Sequence, residues 1–216
     1  MYKPGNPEID LNLGFRDYLR THLDAVVEYA QLKAGLLTQK SSFEIQKDRM
    51  FTGYSSGKDC FIRKITSLAG FNKIRLMHCA HPHEWQQAKQ FRKNYFAKKD
   101  ILFDPLTWTF NHPEHIHFCF YQGPNIIGYG HLQLFPEKTA VLHIMEFDIH
   151  CHNLRGQFLT TIEQWLKEQK ECTELSLQAC PSEKLFYKKQ GYEELAAAEK
   201  STCPSKHGSI GMHKFL

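Results

Sequence analysis

The chain has 216 residues, 42% of them hydrophobic and 13% aromatic, with 27 basic against 23 acidic side chains and a formal charge of +4. That length accommodates one large or two small domains with a real core. So mild a basic surplus gives no reason to expect nucleic acid, and no apolar run is long enough to cross a bilayer. Seven cysteines, at 60, 79, 119, 151, 172, 180 and 203, are scattered without a C-x-x-C, the pattern of reduced thiols. The opening M-Y-K-P-G-N-P-E-I-D has no apolar stretch of a secretory signal. A cytoplasmic location is therefore expected.

The first third reads as helical. From Asp10 to Leu37, Leu13, Phe15, Tyr18, Leu19, Leu23, Val26, Val27, Tyr29, Ala30 and Leu32 recur at mostly helical spacings. A break at Thr21 to Leu23 predicts two helices, with Thr21 or Asp24 as the cap. Lys40 to Ser42 reads as loop, and Met50 to Tyr54 leads into Ser55-Ser56-Gly57-Lys58. Asp59 to Leu68 predicts a further helix with Phe61, Ile62, Ile65 and Leu68 on one side, ended by Gly70. Arg16, Arg20 and Lys58 are expected in helix-surface ion pairs of small energetic value.

From Ile74 strands and helices alternate. Ile74 to His78 is a short strand, and Pro82 to Lys99 an amphipathic helix carrying Trp85, Ala88, Phe91, Tyr95 and Phe96. Ile116 to Tyr121, Ile126 to Phe135 and Ala140 to Ile149 make a meander, turned at Gly123-Pro124-Asn125 and Pro136-Glu137-Lys138. A helix from about Gly156 to Lys170 sets Phe158, Leu159, Ile162, Trp165 and Leu166 on its apolar stripe. Thr173 to Leu195 then reads as strand, short helix and strand. Leu175, Leu177 and Ala179 alternate, Pro181 opens the helix, Leu185 and Phe186 form its apolar face, and Gly191 stops it. Ile210 to Phe215 is the last strand. The order predicts an α/β (α+β) arrangement on a mixed, mainly antiparallel sheet flanked by helices.

Two blocks of wording are more specific than the periodicity. P-S-E-K-L-F-Y-K-K-Q-G-Y at 181–192 resembles the C-terminal motif of the GNAT acetyltransferases, F-Y-x-K-x-G-[FY], with Phe186, Tyr187, Lys189, Gly191 and Tyr192 on the motif. The resemblance covers about 74–216, and G-Y-G-H-L-Q-L at 128–134 is similar to that family's third strand. Upstream, L-G-F-R-D-Y-L-R at 13–20, E-Y-A-Q-L-K at 28–33 and Y-S-S-G-K-D-C-F-I at 54–62 resemble the C-terminal part of the GrpB family, which has a nucleotidyltransferase-like fold. That family's glycine-serine motif and acidic strand lie before the first of these blocks. Residues 1–71 are therefore expected to be a helical appendage without the nucleotidyltransferase core, and residues 72–216 a GNAT-like domain.

The GNAT resemblance implies an acetyl-CoA-dependent N-acetyltransferase acting on an amine of a small molecule or a protein, with no nucleic-acid or membrane partner and with a homodimer compatible. It assigns Tyr187 as the acid that protonates the departing thiolate and Glu146, in V-L-H-I-M-E-F-D-I, as the base, with His143 and Asp148 as rivals. On a regular strand His143 faces opposite to Glu146 and Asp148. Phe147, Asp148 and Ile149 would offer backbone to the pantetheine arm. Asn153, Leu154, Arg155, Gly156 and Gln157 would meet the pyrophosphate, and Ser182 and Lys184 complete the coenzyme-binding set. The family's loop is [QR]-x-x-G-x-[GA]; here H-N-L-R-G-Q-F-L at 152–159 keeps Gly156 as its one glycine, and Arg155 is the side chain able to bind phosphate directly. The alternative is a catalytically impaired GNAT scaffold serving as a binding or assembly module, and a third reading is a fragment of a larger two-domain polypeptide. Acceptor choice would lie near Phe103 to His115, with Trp108 and Phe110, and near Lys200 to Ser209. His115-x-His117 and His150-x-His152 each place two imidazoles together, but no Cys or carboxylate is spaced to complete a metal site, so solvent-facing histidines and no metal are expected.

Overall fold

A computed structural model describes residues 7–39, 53–195 and 209–216. Helices α1 (Pro7–Thr21), α2 (Leu23–Leu37), α3 (Gly53–Gly57) and α4 (Asp59–Leu68) precede β1 (Ile74–His78) and α5 (Pro82–Ala97). Strands β2 (His115–Gln122), β3 (Asn125–Leu134) and β4 (Thr139–Phe147) lead to α6 (Arg155–Lys170), β5 (Glu174–Ala179), α7 (Lys184–Lys189), β6 (Glu193–Glu194) and β7 (Ile210–Phe215). The seven strands form one sheet in the order β1-β2-β3-β4-β5-β7-β6. It is mostly antiparallel, with β4 and β5 parallel. From β1 onward the predicted element order is the observed one; upstream of it, α3 falls in the stretch read only as a lead-in to α4.

The chain forms two compact units, residues 1–86 with 120–126 and residues 87–119 with 127–216. In the first, Ala25, Phe61 and Ile65 are buried, and Phe15, Tyr18, Leu19, Tyr29 and Leu32 pack on them. Tyr29 stacks on Phe61 at 5.0 Å between ring centres, and Phe15 meets both edge-on. Leu68, expected on the same face, is instead 56% exposed, although it shares the helical phase of Phe61 and Ile65; it is the last residue of α4. The break between α1 and α2 falls at His22, and the expected caps are not used. Thr21 donates its hydroxyl proton back to the Asp17 and Tyr18 carbonyls, which finishes α1 rather than starting α2. Gly70 ends α4 at φ 72°, and Gly123 turns β2 into β3 at φ 58°. A side chain at Gly123 would also strike the Phe71 carbonyl oxygen. Arg16 and Arg20 pair with Asp17 on the surface as expected, while Lys58 lies over the Tyr54 ring at 4.1 Å.

In the second unit, Phe118, Leu132, Ile144, Phe158, Leu159, Ile162, Leu166, Leu175 and Met212 belong to the chain's buried core. The stripe predicted for α6 is buried at Phe158, Leu159, Ile162 and Leu166. On α7 the expectation is corrected. Leu185 is 71% exposed and Tyr187 is the buried residue, because a 3-10 turn over Pro181–Glu183 rotates the helix before it begins. A second correction concerns the histidines of β2. His115 and His117 are 8% and 4% exposed, held inside by partners on neighbouring elements rather than facing solvent. His150 and His152 lie on a 3-10 turn, Ile149–Leu154, not on a strand. Met50, Lys40 to Ser42, Cys203 and most of Lys200 to Ser209 lie outside the described residues. The six described cysteines form no disulfide with one another.

Candidate active site

The cleft is made by two irregularities in β4. Its parallel ladder to β5 pairs Thr139 with Glu174 through Leu142 with Leu177 and ends there. Beyond that point the carboxyl ends of the two strands are free to diverge, the usual place for a crevice in a sheet with parallel strands. On the other side of β4, Leu142 pairs with Leu132 and Ile144 with His131, so His143 is an extra residue, a β-bulge. A bulge reverses the alternation of a strand downstream of it. His143 and Glu146, expected on opposite faces, therefore line the same cavity of about 230 Å³. Tyr95 of α5 and Lys98 and Lys99 of the turn after it line it too, together with Arg155, Cys180, Ser182, Glu183 and Tyr187.

Tyr187 is 5% exposed. Burial pushes its phenol well above the usual tyrosine range, with the Glu183 carboxylate adding to this and Arg155 opposing it. The side chain is thus a protonated donor at neutral pH. Glu146 is 7% exposed and is ion-paired with Lys98, just past the end of α5. Lys99 donates to the Tyr95 hydroxyl at 2.6 Å, and that hydroxyl donates to the His143 carbonyl at 3.2 Å. His143 shares a 2.9 Å hydrogen bond between Nε2 and the Gln133 amide oxygen. Burial, with His115 and Arg92 nearby, lowers its pKa to about 4, so the imidazole is neutral at pH 7.

The segment expected to form the pyrophosphate loop is a 3-10 turn that runs directly into α6. Its backbone donors are largely taken: Asp148 N–H bonds the Ile127 carbonyl, Cys151 N–H that of Asp148, and Arg155 N–H that of His152. Of the residues predicted to hold the coenzyme, Phe147, Arg155 and Ser182 line the cavity, whereas Asp148, Ile149, Asn153, Leu154, Gly156, Gln157 and Lys184 do not. Ile149 is 77% exposed, and Lys184 pairs with Glu194 at 2.9 Å. Phe158 is fully buried against Phe147 and is not among the residues that line the cavity. Arg155 donates from Nη2 to Glu183 at 2.6 Å, and its guanidinium lies 4.7 Å over the Phe186 ring. Its Nε is buried without a hydrogen-bond partner. The positive charge at this cleft is carried by the side chains of Lys98, Lys99 and Arg155.

Behind the cleft lies a polar network that the sequence did not reveal. Arg92 of α5 is fully buried and bonds both Asp104 oxygens at 2.6 and 2.8 Å and the Tyr129 hydroxyl at 3.0 Å. That hydroxyl bonds His117 Nδ1 at 2.6 Å, and His117 Nε2 bonds the Thr109 carbonyl at 3.1 Å. Since a carbonyl only accepts, His117 carries its proton on Nε2 and Tyr129 donates to Nδ1. His131 and His115 share a 2.9 Å bond. Among the described residues no group of three or more His, Cys, Asp or Glu is arranged to hold a metal ion.

Residues 1–68 match the family described as GrpB protein. Within that stretch, 63 residues are 43% identical to UPF0157 protein YqkA of Bacillus subtilis (strain 168), 29% of this chain and 16% of that relative's length. Solved structures match the remainder. An acetyltransferase of the GNAT family from Staphylococcus aureus Mu50 superposes with a TM-score of 0.54 at 16% identity, over 67% of this chain and 99% of its own. Spermidine N-acetyltransferase from Vibrio cholerae, determined with CoA and spermine, gives 0.53 at 9% identity over 66% and 95%. The chain therefore joins a GrpB-type segment at residues 1–68 to a domain with the fold of the GNAT acetyltransferases.

Proposed function

We propose that the chain is an acetyl-CoA-dependent N-acetyltransferase whose acceptor is an amine of a small molecule or a protein. The observation that carries this reading is the convergence of a buried, protonated phenol, Tyr187, and a buried carboxylate, Glu146, on one cleft between β4 and β5. Acetyl-CoA would supply an activated acyl carbon and a thiolate leaving group. Glu146 takes the proton of the attacking amine, with Lys98 holding the carboxylate in place. As the new C–N bond forms and the C–S bond breaks, Tyr187 gives its proton to the sulfur. Arg155 and Ser182 hold the coenzyme's diphosphate and Phe147 borders its arm. The spermidine N-acetyltransferase among the solved relatives acts on a polyamine, which fits an acceptor of the amine class.

Turnover of acetyl-CoA, followed as free thiol against a panel of small amines and lysine peptides, tests the reading. Thiol release that depends on an amine and is lost in Tyr187→Phe is the expected result. A second reading, a scaffold that no longer takes coenzyme, draws on the backbone donors already satisfied in the 149–155 segment. Thermal unfolding separates the two, since a ligand that binds only the native state raises the midpoint by mass action. An unchanged midpoint at high acetyl-CoA favours the scaffold.

A further inference from the structure

We propose that Glu183 competes with the coenzyme's diphosphate for Arg155, so that coenzyme binding exchanges one ion-pair partner of the guanidinium for another. The inference rests on the acetyltransferase reading and concerns the same cleft. Arg155 opens α6, its side chain 16% exposed, and it is seated over the Phe186 ring at 4.7 Å. Glu183, 33% exposed on the 3-10 turn before α7, reaches it through one bond of 2.6 Å from Nη2 to Oε1. The guanidinium therefore stays where the ring holds it, while the carboxylate has water to turn into.

The pair is also incomplete. A guanidinium has five N–H donors in a rigid fork that a phosphate can fill two at a time. Here Nε is buried with no acceptor at all. A buried donor left unmade costs free energy, and a second acceptor on that side removes the cost. The backbone of this segment offers less than an open glycine nest, because the Arg155 N–H is already spent on His152 and Gly156 is the one glycine of the stretch 152–159. Side-chain capture by Arg155 is the means the cleft retains, and Glu183 is the anion placed to contest it.

The test is calorimetric titration with coenzyme A and, separately, with pantetheine, which lacks the diphosphate. Glu183→Gln removes the competing charge and keeps the size. It is expected to bind coenzyme A about fivefold more tightly than the parent protein, the upper range for a partly exposed ion pair. Glu183→Ser is expected to behave alike, should the glutamine variant fold poorly. Arg155→Lys loses the planar fork and is expected to bind coenzyme A more weakly. None of the three should change pantetheine binding. Equal or weaker coenzyme A binding by both Glu183 variants, with the parent binding normally, overturns the exchange and leaves the acetyltransferase reading standing. A parallel gain for pantetheine overturns it as well. Absence of coenzyme A binding in the parent and the variants overturns both.

Discussion

Lowering the pH from 7 to 5 should destabilise the sheet-bearing unit through its buried histidines. His117 is 4% exposed, accepts from the Tyr129 hydroxyl and donates to the Thr109 carbonyl. Burial, aided by Arg92 and His115, lowers its pKa to about 4, and burial lowers that of His143 to about 4 as well. His115 and His131 are shifted in the same direction. A folded-state pKa below the unfolded value means that the unfolded chain binds more protons in acid. The stabilisation is therefore whole above about pH 6.5 and is lost progressively as the pH falls below it. For a histidine shifted from 6.5 to about 4, the loss at pH 5 is about 2 kcal/mol, so His117 and His143 together cost about 4 kcal/mol, a large share of a typical domain stability of about 5–15. The geometry gives the same sign. A proton on His117 Nδ1 would face the Tyr129 hydroxyl, which already receives an Arg92 N–H at 3.0 Å and would lose His117 as its acceptor. Guanidinium unfolding followed by circular dichroism at pH 7.5, 6.5, 5.5 and 5.0 measures this. Stability should be level down to about pH 6.5, then fall with a slope approaching about 1.4 kcal/mol per pH unit for each histidine. His117→Gln should remove one such increment. A flat profile from pH 7 to 5, or a variant with the parent's slope, would refute the reasoning.

Other outcomes follow from the same geometry. Tyr187→Phe keeps the buried ring, so it should fold and bind coenzyme A as the parent does while turnover falls about a hundredfold or more, the usual contribution of a general acid; steady-state kinetics beside calorimetry show both. Phe158→Ala removes a fully buried ring packed on Phe147 and should cost about 3–5 kcal/mol in chemical denaturation. Leu185→Ala on the same helix as Tyr187 should change stability by less than about 0.5 kcal/mol, since Leu185 is 71% exposed.

Where a periodicity was long and regular, the sequence was enough. Asp59–Leu68, Ile74–His78 and Ile210–Phe215 are the spans that the spacing of apolar residues predicts, and Tyr187 and Glu146 do face one cleft. The failures have local causes. The bulge at His143 inserts a single residue that no period of two reports, and it reverses which face His143 shares with Glu146. The 3-10 turn at Pro181–Glu183 rotates α7, so Leu185 turns outward although its hydrophobicity marks it for the core. His115 and His117 read as surface histidines because their partners, His131 and Tyr129, come from β3, and no spacing within β2 announces them. Tyr95, Lys98 and Lys99 could have been found, since the helix expected over Pro82 to Lys99 spaces them at i, i+3 and i+4, although α5 itself ends at Ala97.

A crystal structure with coenzyme A bears most directly on the account. The diverging ends of β4 and β5 should hold the coenzyme, with its sulfur within hydrogen-bonding reach of the Tyr187 hydroxyl and its diphosphate on Arg155. An empty cleft at saturating coenzyme, or a sulfur placed away from Tyr187, would contradict it.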